Sequence, residues 1–161
     1  MGVQFLKNRP VILRNRGLML SLLVLICLLC SSINLHAEQV AVIVIKDGPL
    51  SHISKAEIRG IYLGEIRFVG GMPVRPIQYP EGQVKDAFLS NIIGMSAKDY
   101  KLYWVKKLFQ EGLTPPLVKT DPAEIMNAVR EDPWGIGYLP KELASEASDI
   151  QIIYIIQEEK H

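Results

Sequence analysis

An α/β domain, three layers deep and built on a mixed sheet, is the fold class the sequence predicts, and three observations predict it. Residues 39–46 (QVAVIVIK) are an unbroken apolar, β-branched run, the pattern of a strand covered on both faces. Capped segments with helical spacing then alternate with further short apolar runs, the order expected when helices lie on both sides of a sheet. Composition agrees: 161 residues with 48% hydrophobic, 22% charged and two cysteines exclude a disordered tail, a collagen-like repeat and a disulfide framework.

The chain divides unequally at residue 37. Lys7, Arg9, Arg14 and Arg16 precede an uncharged apolar run at residues 17–30, and the first acid is Glu38. Fourteen helical residues rise only about 21 Å, against a hydrocarbon core of roughly 30 Å. Basic, short-apolar and polar stretches in that order predict a secretory signal peptide over residues 1–37, cut after Ala37, with an uncleaved inner-membrane anchor as the alternative. Cys27 and Cys30 fall in or beside the apolar run and read as small hydrophobes rather than a redox or metal pair. Residues 38–161 are then one exported, thiol-free domain in the periplasm, with 14 bases against 17 acids. That balance gives no overall basic excess to draw nucleic acid or anionic lipid.

Each element has its own signal. Asp47-Gly48-Pro49 ends the first strand, and Ser54 with Glu57 forms a capping box before Ile58, Ile61 and Tyr62 at helical spacing, closed by Gly64. Gly70-Gly71 turns between short strands at 66–69 and 74–79. Residues 82–93 carry Val84, Phe88, Ile92 and Ile93 near one face of a helix stopped by Gly94. Ser96 caps the longest helix, 96–110, whose Tyr100, Tyr103 and Trp104 share a face and read as core more readily than as a stacking platform. Thr114-Pro115-Pro116 is an extended connection. Asp121-Pro122 starts a helix that Pro133 ends, with Ile125, Met126 and Val129 on its apolar side. Residues 135–139 (GIGYL) read as a buried strand whose glycines permit close packing. A helical turn at 141–148 and a last strand at 150–156 complete the chain.

In succession, Ile53-Ser54-x-x-Glu57-Ile58 with Ile61-Tyr62-Leu63-Gly64, then Gly71-x-Pro73-Val74-x-Pro76, Phe88, Gly94-Met95-Ser96, Tyr103-Trp104, Phe109, Pro115-Pro116 and Gly135-Ile136-Gly137-Tyr138 resemble the phosphate-specific (PstS-like) periplasmic binding proteins of ABC importers. The resemblance runs from about Val40 to Leu139. It implies a type II periplasmic-binding-protein fold, of which a chain this short supplies a single lobe, and an exported, non-catalytic solute-binding role in transport or sensing. It also implies a place for the ligand. The family holds phosphate where a strand runs through an R-x-D-G-S-G-T-like loop into a helix, and the matching positions here are Gln78, Gly82, Gln83 and Val84. Gln78 stands for the arginine, Gly82 and Gln83 for Ser-Gly, and Val84 for the threonine. Arg75 is the cation near enough in sequence to replace the lost charge, though its plain reading is an exposed strand residue.

Other functions find less in the sequence. No Ser–His–acid set, metal-ligand spacing or phosphate-cradling Gly-Lys loop is present, so neither an enzyme nor a cofactor or metal is expected. His52 reads as a solvated loop residue. Lys98, Lys101, Lys106 and Lys107 make the longest helix locally basic, a docking face or simply its solvated side. Two expectations about partners remain. A small phosphate-like anion is the ligand of a binding module; the alternative is an interaction protein that kept the scaffold, lost the anion site, and docks on a membrane transporter, a sensor or a second copy of itself through the face a second lobe would cover.

Overall fold

The computed structural model describes residues 39–157, so the expected signal peptide lies outside the described residues. Within them, β1 (Val40–Ile45) is followed by α1 (Lys55–Tyr62), a hairpin of β2 (Phe68–Val69) and β3 (Met72–Pro73), β4 (Arg75–Gln78), α2 (Gln83–Phe88) with a π-helical extension Leu89–Ile93, and α3 (Ala97–Glu111). Then come β5 (Leu117–Val118), α4 (Pro122–Glu131), β6 (Gly135–Pro140), α5 (Lys141–Ser145) and β7 (Ile150–Ile156).

Five strands form a mixed sheet in the order β5-β4-β6-β1-β7. β1 is antiparallel to both β6 and β7, whereas β4 runs parallel to β5 and β6. Alternation along β1 divides the interior in two, because successive side chains leave a strand on opposite faces. Val40, Val42 and Val44 pack with Ile58, Ile61 and Tyr62 of α1, Phe88 of α2 and Tyr100 and Trp104 of α3. Ala41 and Ile43 pack with Ile125 and Val129 of α4 and Ala144 of α5. Helices cover both faces, which is the three-layer mixed α/β architecture that the apolar run at residues 39–46 predicts. Each fully buried aliphatic side chain of these layers contributes on the order of 1.5–3 kcal/mol.

Local chemistry sets most of the boundaries. The Ser54 hydroxyl accepts from the Glu57 amide while the Glu57 carboxylate takes the Ser54 amide at 2.7 Å, the reciprocal cap expected at α1. Those bonds hold the exposed Glu57 carboxyl below its usual range. At the other end, the Tyr100 and Tyr103 hydroxyls donate to the carbonyls of Tyr62 and Leu63 at 2.8 and 2.7 Å, so α3 satisfies the last carbonyls of α1. Gly64 follows with φ +66°, and a Cβ there would stand 2.9 Å from the Trp104 ring.

Three details differ from the sequence expectations. The region between α1 and α2 holds three short strands instead of two, since Gly70 and Gly71, both at positive φ, fold 68–73 into a tight hairpin apart from the main sheet. The helix expected over 82–93 is α-helical only to Phe88 and then widens, which buries Leu89, Ile92 and Ile93 together before Gly94 ends it in a left-handed turn. The connection after Pro115-Pro116 supplies an edge strand, β5, pairing with Ile77 and Gln78.

Candidate functional site

β4 enters the sheet beside β6 and leaves at Gln78; residues 79–82 then carry the chain to α2. Tyr62 anchors the strand from below, its buried hydroxyl donating to the Ile77 carbonyl at 2.8 Å with the Ile136 carbonyl at 3.1 Å. Phe88 of α2 stacks on Tyr138 of β6 with ring centroids 3.9 Å apart and planes within 1°. The loop is thus clamped at both ends by aromatic contacts in the first core layer.

Gln78 is buried, and its carbonyl accepts from the Lys119 amide at 3.1 Å. Gly82 is the N-cap of α2 at φ +139°, a conformation open to glycine, and no side chain caps the helix. Gln83 is exposed and Val84 is buried against the core. Gln78, Gly82, Gln83 and Val84 therefore bracket one strand-to-helix turn whose first-turn amides take no capping side chain. Such a turn favours a negative group by about 1 kcal/mol or less per helix end, and α2 has only six residues to supply it.

Arg75 lies elsewhere. It begins β4, three residues before Gln78 and so roughly 10 Å along the strand from it, and its guanidinium pairs with Asp132 at 2.5 Å. That pair borders a separate cavity of about 440 Å³, lined by Ile66, Phe68, Trp104 and Pro116 among others. The charge at the loop comes from a residue the sequence did not single out. Lys85, in the first turn of α2, has a side chain only 9% exposed, and its ammonium meets the Glu81 carboxylate at 2.6 Å. Glu81 itself is open to solvent. Burial first, then the neighbouring Tyr100 phenol, push the Tyr138 phenol well above its ordinary pKa, with smaller contributions from the carboxylates of Glu81 and Asp86.

The arrangement brings the ammonium of a largely buried lysine, the uncapped first-turn amides of α2 and an exposed carboxylate to one turn. Among the described residues no group of three His, Cys, Asp or Glu side chains converges as a metal site, and no helix is long and apolar enough to cross a membrane. His52 is exposed.

No family model matches the chain, and no curated protein matches it in sequence. Solved structures do match in fold. One is a protein from Clostridium perfringens described as a phosphate ABC transporter substrate-binding protein, with bound phosphate: TM-score 0.53 and 18% identity over 71% of this chain and 43% of that one. Another is an ABC-type phosphate transport receptor from Vibrio cholerae, with TM-score 0.51 and 17% identity over 71% of this chain and 44% of that one. The match thus spans less than half the length of either protein, and at these identities the likeness is one of fold: this chain is built like a part of those receptors.

Proposed function

We propose that the protein is an exported, non-catalytic binding module of the periplasm that takes a small phosphate-like anion at the turn formed by Gln78, Gly82, Gln83 and Val84, in a transport or sensing system. The observation that carries this reading is the turn itself: an uncapped helix start beside the buried Lys85 ammonium, on a scaffold that phosphate receptors share. Lys85 takes the part that sequence position suggested for Arg75. Glu81, Gly82 and Gln83 of the turn are exposed, so water is not fully stripped from the ligand and binding is weak, in the micromolar to millimolar range.

Isothermal titration of the protein with inorganic phosphate tests this. Saturable heat that disappears in Lys85→Met and in Gly82→Val, both still folded by circular dichroism, is the expected result. Silence with phosphate and other oxyanions overturns it. One observation favours the second reading, an adaptor that lost its anion site and docks on a transporter, a sensor or another copy: Glu81 already occupies the Lys85 ammonium. Silence in the titration would leave that reading standing.

A further inference from the structure

α3 has two apolar faces, and only one is used by the core. Tyr100 and Trp104 are buried, whereas Leu102, Val105 and Phe109 on the opposite side are 57%, 44% and 84% exposed. At 100° per residue these three fall within about 60° of one another, and Lys98, Lys101 and Lys106 flank them on the same outer side. All three lysines are exposed, and the salt bridges among the described residues do not engage them. Lys107, the fourth lysine of the helix, is turned away: it bonds Glu111 at 3.2 Å and lies over the Tyr103 ring. Asp99, the acid nearest the patch, is drawn to the helix start by the Ser96 hydroxyl at 2.7 Å.

We infer that this outer face of α3 docks on an anionic lipid bilayer, with Leu102, Val105 and Phe109 entering the headgroup boundary and Lys98, Lys101 and Lys106 meeting lipid phosphates. The charge pattern selects this occupant. A row of lysines without an arginine suits a diffuse array of phosphates, because the ammonium is a hydrated point charge on a flexible stem. Protein interfaces by contrast favour arginine and deplete lysine. An exposed phenylalanine and leucine beside basic residues is the composition of helices that lie in the membrane interface. The basicity is local: the domain as a whole carries no basic excess, so the contact depends on these three positions and on ionic strength.

The test uses the full chain with Cys27→Ser, Cys30→Ser and Gln110→Cys, labelled at position 110 with a polarity-sensitive fluorophore and mixed with vesicles of phosphatidylcholine alone or with added phosphatidylglycerol. A label at Glu142→Cys, on the helix of the opposite sheet face, serves as control. The four bases ahead of residues 17–30 also favour anionic lipid, so docking of α3 is read from the difference between the labels at 110 and 142 and from its loss when the three lysines of α3 are replaced. The expected result is a blue shift at 110 but not at 142 with anionic vesicles, reversed at about 1 M salt, where the screening length is ~3 Å. Replacing Lys98, Lys101 and Lys106 by Gln together should weaken docking on the order of 100-fold. A label at 110 that stays aqueous with both lipids, or shifts equally with both, overturns the inference and leaves a protein partner as the occupant of this face.

Discussion

Glu81 and Lys85 decide between holding a ligand and holding only each other. The pair has the favourable order, acid four residues before base across the start of a helix, and an exposed pair of this kind stabilises by roughly 0.3–0.5 kcal/mol. Burying the Lys85 stem raises what the ammonium has to gain from a partner, since an unpaired buried charge is costly. If the turn takes the proposed anion, the carboxylate is an internal stand-in for it and competes with it. Glu81→Gln removes the competitor without removing the cation; phosphate affinity should rise on the order of tenfold, with the screened Coulomb term of a half-exposed pair as its source. Titration calorimetry of that variant beside the native protein measures it, and unchanged or weaker affinity would show that Lys85 does not face the ligand.

Among the elements, strongly patterned segments were legible in the sequence and short ones were not. Ser54-x-x-Glu57 and Asp121-Pro122 each announce a helix by satisfying its free amides, and both caps form as expected, the Asp121 side chain accepting from the Glu124 amide at 2.9 Å. Residues 39–46 read as a doubly covered strand because no polar position interrupts the apolar run between Gln39 and Lys46, and β1 forms at 40–45. β3 and β5 have two residues each, too few for any period to show, and tertiary pairing alone defines them, whereas β2 falls inside the strand expected at 66–69. The widened turn after Phe88 was hidden for another reason: Ile92 and Ile93 fit a regular helix in sequence, and it is the packing of Leu89 with them that favours the wider ring. At the candidate site the strand-to-helix turn was legible but Lys85 was not, since a lysine in a helix reads as solvated until the structure shows its stem covered. Close packing at β6 was anticipated from its glycines and has a measurable consequence. A Cβ on Gly137 would stand 2.6 Å from Cγ2 of Ile125 in α4, so Gly137→Ala must push the helix from the sheet and should cost about 1–3 kcal/mol. Urea unfolding checks this; a loss under 0.5 kcal/mol would mean that α4 moves freely on the sheet.

For the whole molecule, the three tyrosines of the first core layer tie stability to alkaline pH. Burial pushes the phenols of Tyr62 and Tyr138 well above their ordinary pKa and raises that of Tyr100. The rings meet: Tyr62 lies 4.6 Å edge-on to Phe88 and 5.8 Å from Tyr138, while Tyr100 bonds the Tyr62 carbonyl. They join α1, α2, α3 and the sheet, so none can ionise without opening that layer. In the unfolded chain each phenol titrates near 10. The neutral form is favoured in the native state, so this stabilisation is fully present below about pH 10 and is lost as pH climbs toward the raised native values. Each protected phenol contributes a slope of about 1.4 kcal/mol per pH unit above that point, up to roughly 4 for the three together. Urea midpoints should hold level through neutral pH and fall steeply above 10, with phenolate absorbance from these three growing only as far-UV circular dichroism collapses. Tyr62→Phe should shed one third of the slope and about 1 kcal/mol of stability at neutral pH, the worth of its bond to the Ile77 carbonyl. Ionisation of all three near pH 10 with the fold intact would mean that water reaches this layer, and that the platform beneath the turn at residues 78–84 is looser than its packing shows.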